Sequence, residues 1–384
     1  MTISAAEDFT VAVDDAVLDD LHRRLRQTRW PTYPRSAPWQ YGTEPDYARR
    51  LIDYWIDGYD WRAQEAAINR FDNKRVTIDG LQIHYMIERG SGPEPRPLLI
   101  THGWPGSIVE LMGVIERLAH PERFGGDIAD AFTVVVPSLP GFGFSQAPDA
   151  PMTLRDVGGM LHRLMTGHLG FARFFMQGGD MGSILSSWVA YDYPDAIIAV
   201  HLNNIAFLAL PDEDARSEEE KAWVKANTAW RKEQDGYRTQ QGTRPQTLAY
   251  GLTDSPAGLA TWIVEKFHDW TIPGEAGDPP FGMDEMLTNI MLYWLAGPAA
   301  ASWYYLWFMN DPAALRLPDG DRITVPVGVL LSPNDTATPP PNSVIERTYT
   351  MVRRTDAATG GHFAALEQPE LLVDEVRTFF RGRR

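Results

Sequence analysis

Hydrophobic positions recur at helical spacing through 16–28 and 46–69, whereas from position 75 onward they fall in short runs and alternations bounded by turn residues. The first two segments therefore predict amphipathic helices. Between them, the Pro-, Trp- and Tyr-rich stretch 30–41 has no period and is expected to pack over another lobe. Residues 76–85 read as two strands about an Asp79-Gly80 turn, and Leu98-Leu99-Ile100 and 132–136 as buried strands. A strand at 174–176, a helix at 183–193 and a strand at 196–201 then alternate, as they do in a parallel sheet built from βαβ units. From 211 to 317 the strand pattern gives way to helical, aromatic-rich sequence with a turn at Asp254-Ser255-Pro256. Strands return at 325–331 and 348–352, and a last helix is predicted at 371–380. The expected architecture is α/β: an N-terminal helical lobe over 1–75, a core over 76–210 and 318–384 with a mostly parallel central sheet, and a helical cap over 211–317 inserted before the last strands.

Composition narrows the class. The chain has 384 residues, 44% of them hydrophobic, enough to bury a large core. Fifty-one acidic residues against 35 basic ones give a formal charge of −16, which argues against a nucleic-acid partner. There is no cysteine, so disulfides and thiolate metal sites are excluded. Neither an apolar leader nor a membrane-length apolar run is present, which predicts a soluble, cytoplasmic protein without membrane attachment.

The chemistry begins at Gly178-Gly179-Asp180-Met181-Gly182, where a predicted strand ends and a helix starts. Glycines on both sides of a central residue allow the sharp turn of a nucleophile elbow, here with aspartate in the position usually held by serine. As an isolated motif the five residues could be an ordinary turn; the strand-turn-helix order favours the elbow. A carboxylate nucleophile forms an alkyl ester with a carbon electrophile such as an epoxide or haloalkane. His102-Gly103-Trp104-Pro105-Gly106-Ser107 follows the apolar strand at 98–100, so the backbone N–H groups of Trp104 and Met181 are the expected oxyanion donors. His102 itself reads as a structural hydrogen-bonding residue. Gly360-Gly361-His362-Phe363 supplies a histidine on a glycine-rich loop before the last helix, which makes His362 the candidate base. Asp335, after the strand at 325–331, is the candidate acid to orient it; Asn203 and Asn204, after the strand at 196–201, cannot carry a charge. Epoxide opening also needs an acid for the departing oxygen, and Tyr237, Tyr250, Tyr293, Tyr304 and Tyr305 all lie in the cap segment.

With these motifs in place, the chain resembles the microsomal-type epoxide hydrolases of the α/β-hydrolase superfamily over essentially its whole length. The resemblance rests on the four loop motifs around His102, Pro140-Gly141-Phe142-Gly143-Phe144-Ser145, Asp180 and His362. It extends to Thr28-Arg29-Trp30-Pro31 and Tyr59-Asp60-Trp61-Arg62 in the N-terminal lobe and to 253–260 in the cap. It implies Asp180 as nucleophile, His362 as base, Asp335 as its acidic partner and two cap tyrosines. The first matches Tyr237. The second falls in Trp303-Tyr304-Tyr305, where Tyr305 is preferred with Tyr304 as the substitute. Relatives commonly have tryptophan at the position of Met181, which keeps the backbone donor and reshapes the pocket. Mammalian relatives carry an N-terminal membrane anchor, which is not expected here.

The function expected is hydrolysis of an aryl or bulky apolar epoxide to a vicinal diol, as detoxification or secondary metabolism, with the epoxide and water as the partners and no metal or cofactor. A haloalkane or haloacid dehalogenase using the same Asp180 is the enzymatic alternative, separated by Tyr237→Phe, which should cripple epoxide opening alone. A non-catalytic ligand-binding homologue is the other. A homodimer is one expectation, from the aromatic content of the N-terminal lobe, against the alternative that the chain's own core covers that surface.

Overall fold

The structure, a computed structural model, describes residues 2–33, 39–205, 207–274, 277–311 and 313–383. One nine-stranded sheet runs through it in the order β1-β2-β3-β5-β4-β6-β7-β8-β9. The strands are β1 (Glu7–Asp8), β2 (Asp72–Ile78), β3 (Leu81–Glu88), β4 (Arg96–Thr101), β5 (Phe132–Pro137), β6 (Phe174–Gly178), β7 (Ile197–Leu202), β8 (Ile323–Leu331) and β9 (Tyr349–Asp356). The first four in spatial order, β1, β2, β3 and β5, pair antiparallel, and from β5 through β4 to β9 every pairing is parallel. The sheet is thus mostly parallel, as the alternation of strand and helix patterns predicts.

Parallel strands covered on both faces become continuous apolar runs, because no side chain reaches water. All six residues of β5 and all five of β6 are buried. The helices against the sheet are α4 (Ile108–Ala119), α5 (Leu154–Arg163), α6 (Met181–Asp192) and α15 (Pro369–Phe380), with the short α13 (Asn342–Glu346) and α14 (Ala364–Glu367) between the last strands and the end. Nearly every residue of α6 is buried, which explains why it lacks an amphipathic stripe.

The N-terminal segment holds α1 (Asp15–Arg26), α2 (Pro45–Asp57) and α3 (Trp61–Ile68). The single periodic stretch at 46–69 is two helices. Gly58 ends α2, and the Asp60 carboxylate caps α3 by accepting the N–H groups of Arg62 and Ala63 at 2.9 and 3.3 Å. The two-residue β1, too short and polar to leave a hydrophobic pattern, ties this segment to the sheet edge through Glu7 and Asp8 opposite Arg75 and Lys74. Tyr47, Trp55, Tyr59 and Trp61 are buried in the chain's own core, so those aromatics do not form an exposed surface. Within 30–41, residues 34–38 lie outside the described residues; Trp39 stacks on His268 of the cap at 3.8 Å between ring centroids.

The cap is α7 (Glu218–Gln234), α8 (Gly236–Thr243), α9 (Pro245–Asp254), α10 (Pro256–Asp269), α11 (Met283–Ala296) and α12 (Ala299–Met309), all inserted between β7 and β8. Ser255 caps α10 by accepting the Gly258 N–H at 3.0 Å, and Pro256 fits the first helical position, where no N–H is needed. Among the described residues, no helix is long and apolar enough to cross a membrane.

Candidate active site

The carboxyl ends of β4, β6, β7, β8 and β9 converge, which is where an open parallel sheet leaves a crevice. After β6 the chain turns at Asp180 with φ 50° and ψ −125°, a conformation that a non-glycine residue adopts only when its surroundings impose it. The neighbours do so here. A Cβ on Gly182 would lie 2.3 Å from the Thr101 carbonyl oxygen, one on Gly178 2.5 Å from the Gly182 carbonyl, and one on Gly179 2.4 Å from Asn203 Nδ2. The three glycines let β6 and α6 close against β4 and β7, and Asp180 is left at the apex.

The loop after β4 meets that apex. The Trp104 N–H donates to Asp180 Oδ1 at 2.8 Å. The Met181 N–H, in the first turn of α6, belongs to the donors that an α-helix leaves without a partner of its own. His102 bridges two loops: its Nε2 accepts the Leu139 N–H at 3.3 Å, and burial lowers its basicity to about 4, so it stays neutral. From the cap, the Tyr293 hydroxyl donates to the Gly106 carbonyl and the Asn289 amide to the Pro105 carbonyl, at 2.8 and 2.7 Å, and both hold the loop.

His362 Nε2 lies 3.5 Å from Asp180 Oδ2, and its Nδ1 is 2.5 Å from Asp335 Oδ1. Asp335 also accepts the Thr336 N–H at 2.6 Å and the Asn204 amide at 3.0 Å. Burial works against ionising this carboxyl, but the His362 charge and these hydrogen bonds outweigh it and hold it below the usual carboxylate range. Burial likewise works against charging His362; the two carboxylates, Asp335 foremost, overcome it and raise its basicity well above the ordinary imidazole value. The loop that carries His362 is seated by the cap: its N–H donates to the Trp270 carbonyl at 2.8 Å, and a Cβ on Gly361 would come within 2.2 Å of that oxygen.

Above Asp180, a pocket of about 170 Å³ is lined by Asp180, Tyr237 and Tyr305 together with apolar Ile184, Trp230 and Phe308. Tyr237 lies flat on Trp104 at 5.1 Å and 6°, and stands edge-on to Tyr305 at 5.7 Å between ring centroids. Burial, with the Asp180 charge, raises both phenols well above the ordinary value, so both carry their protons. Tyr304 spends its hydroxyl on the Pro140 carbonyl at 3.1 Å, and Tyr250 is exposed to solvent.

One group in the site gave no sequence signal. Glu110, in the first turns of α4, packs its carboxyl so tightly on Gly106 that a Cβ there would lie 1.7 Å from Oε2. With Gly103, Asp180, Asn203 and His362 it lines a cavity of about 20 Å³, room for one water. Burial pushes its carboxyl up to about 8. That carboxyl makes no hydrogen bond among the described residues. An acidic residue in the first turn of a helix is so common that nothing in the sequence marks this one.

Fold and site together define an α/β-hydrolase with aspartate at the elbow. Residues 6–111 match the family described as epoxide hydrolase N terminus, and residues 96–254 the family described as alpha/beta hydrolase fold. A Stigmatella aurantiaca protein provisionally named an epoxide hydrolase is 40% identical over 98% of this chain and 85% of its own length. Epoxide hydrolase 1 of Sus scrofa is 32% identical over 98% of this chain and 90% of its own. The Aspergillus niger epoxide hydrolase structure superposes with a TM-score of 0.85 at 31% identity, covering 98% of this chain and 96% of that one. The chain belongs to the epoxide hydrolase family and is a hydrolase of the α/β-hydrolase fold.

Proposed function

We propose that this hydrolase opens apolar, aryl or otherwise bulky epoxides to vicinal diols through a covalent ester on Asp180. The observation that carries the reading is the opposition of Asp180 to the adjacent Tyr237 and Tyr305 across one pocket, with His362 beside the same carboxylate. Asp180 Oδ1 is held by Trp104, so Oδ2 attacks an oxirane carbon. The carbon–oxygen bond breaks, and the leaving oxygen takes a proton from the tyrosine pair. The ester carbonyl then sits on the Trp104 and Met181 N–H groups. His362, oriented by Asp335, removes a proton from a water, and the hydroxide adds to the ester carbonyl carbon. Collapse expels the second diol oxygen, which takes the proton from His362, and the remaining water proton returns to the phenolate.

Glu110 fits this reading as a protonated carboxylic acid that hydrogen-bonds the attacking water in its cavity beside His362. Ile184, Leu208, Trp230 and Phe308 give the pocket an apolar side that supports an apolar substituent on the substrate, opposite the polar Asn227, Arg231, Asp235 and Arg238. The test is turnover of racemic styrene oxide in ¹⁸O-labelled water. Wild type should form diol and, in a single turnover, carry label into Asp180, and Asp180→Asn should form neither ester nor diol. Diol from wild type with no label in Asp180 would remove the covalent mechanism.

A further inference from the structure

Lys266 of α10 is 2% exposed, an unusual position for an ammonium group. Its Nζ is 2.6 Å from Glu265 Oε1. An ammonium has three donors, and the others face aromatic rings: Nζ lies 4.8 Å from the centroid of the Tyr237 ring, 5.8 Å from Trp270 and 6.0 Å from Trp262. A cation over a ring within about 6 Å is attracted by the negative π face, most strongly when water is excluded. The cap has thus placed a buried positive charge against the ring of the tyrosine that faces Asp180, at a place where a methionine would fill the space at no desolvation cost.

We propose that Lys266 is a positioning and electrostatic residue that acts through Tyr237, stabilising the negative charge that grows on the phenol as it gives its proton to the opening epoxide. This rests on the proposed role of Tyr237. Burial and the Asp180 and Asp235 carboxylates oppose a phenolate at Tyr237; the Arg238 guanidinium of α8 counters them in part, and Lys266 adds a second cation at the ring itself. Trp104 packs on the same ring and supplies no charge. The benefit of Lys266 falls chiefly on ester formation, where the phenol gives up its proton; in hydrolysis the leaving oxygen takes its proton from His362 and the phenolate only waits to be reprotonated. It should be largest for epoxides whose departing alkoxide is most basic, because these demand most of the proton donor.

The test uses rapid-quench mass spectrometry of the full-length protein to separate ester formation from ester hydrolysis. The substrates are styrene oxide and its para-nitro derivative, and the variants Lys266→Met and Lys266→Arg. Lys266→Met should slow ester formation about 10- to 100-fold with styrene oxide, less with the nitro compound, with hydrolysis within about twofold. Lys266→Arg should recover most of the rate. The other charged or titratable groups facing Tyr237 are Asp180 from the elbow, Asp235 and Arg238 at α8, and Tyr305 from α12, and all are unchanged in both variants. Loss of the cation makes the phenol harder to ionise, so the alkaline limb of ester formation should move to higher pH in Lys266→Met. Wild-type ester formation in Lys266→Met overturns the proposal. So does an equal loss in both steps and for both substrates with an unmoved alkaline limb, which is the mark of a merely structural lysine. If wild type forms no ester with any epoxide, the role of Tyr237 falls and this one with it; if Tyr237→Phe is slowed and Lys266→Met is not, this one alone falls.

Discussion

Gly103→Ala is the sharpest probe of the proposed nucleophile's seating. The added methyl would lie 2.1 Å from Asp180 Oδ1, 2.5 Å from its Cβ and 2.7 Å from its Cγ. Asp180 cannot retreat through its backbone, which is pinned at φ 50° by the glycine contacts on either side. Rotating the carboxylate would relieve the Oδ1 and Cγ contacts but not the one to Cβ, so the loop after β4 must also draw back and take the Trp104 N–H, now 2.8 Å from Oδ1, with it. A hydrogen bond to a charged group contributes about 1.5–3 kcal/mol, and a displacement of about 1 Å from attack geometry costs roughly 100-fold in rate. The two are one event, so ester formation should fall about 100-fold. Gly113→Ala is the control: it lies inside α4 with nothing within 4 Å of the new methyl, and should raise stability by roughly 0.5–1 kcal/mol with activity intact. The assay is the single-turnover rate of ester accumulation by rapid-quench mass spectrometry, with thermal melts of both variants. Wild-type ester formation and an unchanged melt in Gly103→Ala would refute the reasoning, because Asp180 would then not need the space the glycine leaves.

Asp335→Asn should slow ester hydrolysis about 10- to 100-fold and let ester accumulate on brief mixing with substrate. Oδ1 accepts both His362 and Thr336 while Oδ2 accepts Asn204, so an asparagine with its oxygen at the Oδ1 site keeps the histidine in place once the Asn204 amide turns over, and the charge is what is lost. Because His362 becomes less basic, the acid limb of hydrolysis should move to lower pH. Glu110→Gln should gain stability over wild type as pH rises: the native carboxyl ionises near 8 and the unfolded one near 4.5, so between these values the unfolded state binds fewer protons and the wild type alone loses stability, at up to about 1.4 kcal/mol per pH unit. Urea unfolding at pH 5 and pH 8 measures this; an equal difference at both would contradict it. Tyr305→Phe should slow ester formation roughly 10- to 100-fold, whereas Tyr304→Phe, which loses a hydrogen bond to the Pro140 carbonyl, should cost about 0.5–1.5 kcal/mol of stability in a thermal melt and leave that rate within a few-fold.

Much of this protein is written in local pattern. Apolar runs, the Asp79-Gly80 turn, the glycines around Asp180 and the Gly360-Gly361 loop each constrain only a few consecutive residues, and those constraints survive in the sequence because backbone sterics and burial on both sheet faces act locally. That is why the α/β order of strands and helices, the elbow and the loop of His362 are legible in the amino-acid sequence alone. Gly58 and Asp60 also split one periodic stretch into two helices, a break that glycine and a capping aspartate announce but that periodicity alone conceals. What could not be read is which side chains meet. Tyr304 and Tyr305 are adjacent in sequence, and the 100° step of α12 turns one hydroxyl to a backbone carbonyl and the other ring to the pocket beside Tyr237. Glu110 and Lys266 look like ordinary helical surface charges until α4 and α10 are packed around the site, and Asn204 reads as a neutral loop residue until it caps Asp335. These placements depend on contacts between segments tens to hundreds of residues apart, and the free energy of such contacts lies in the closed, water-excluding arrangement of cap on sheet, which no stretch of chain carries by itself.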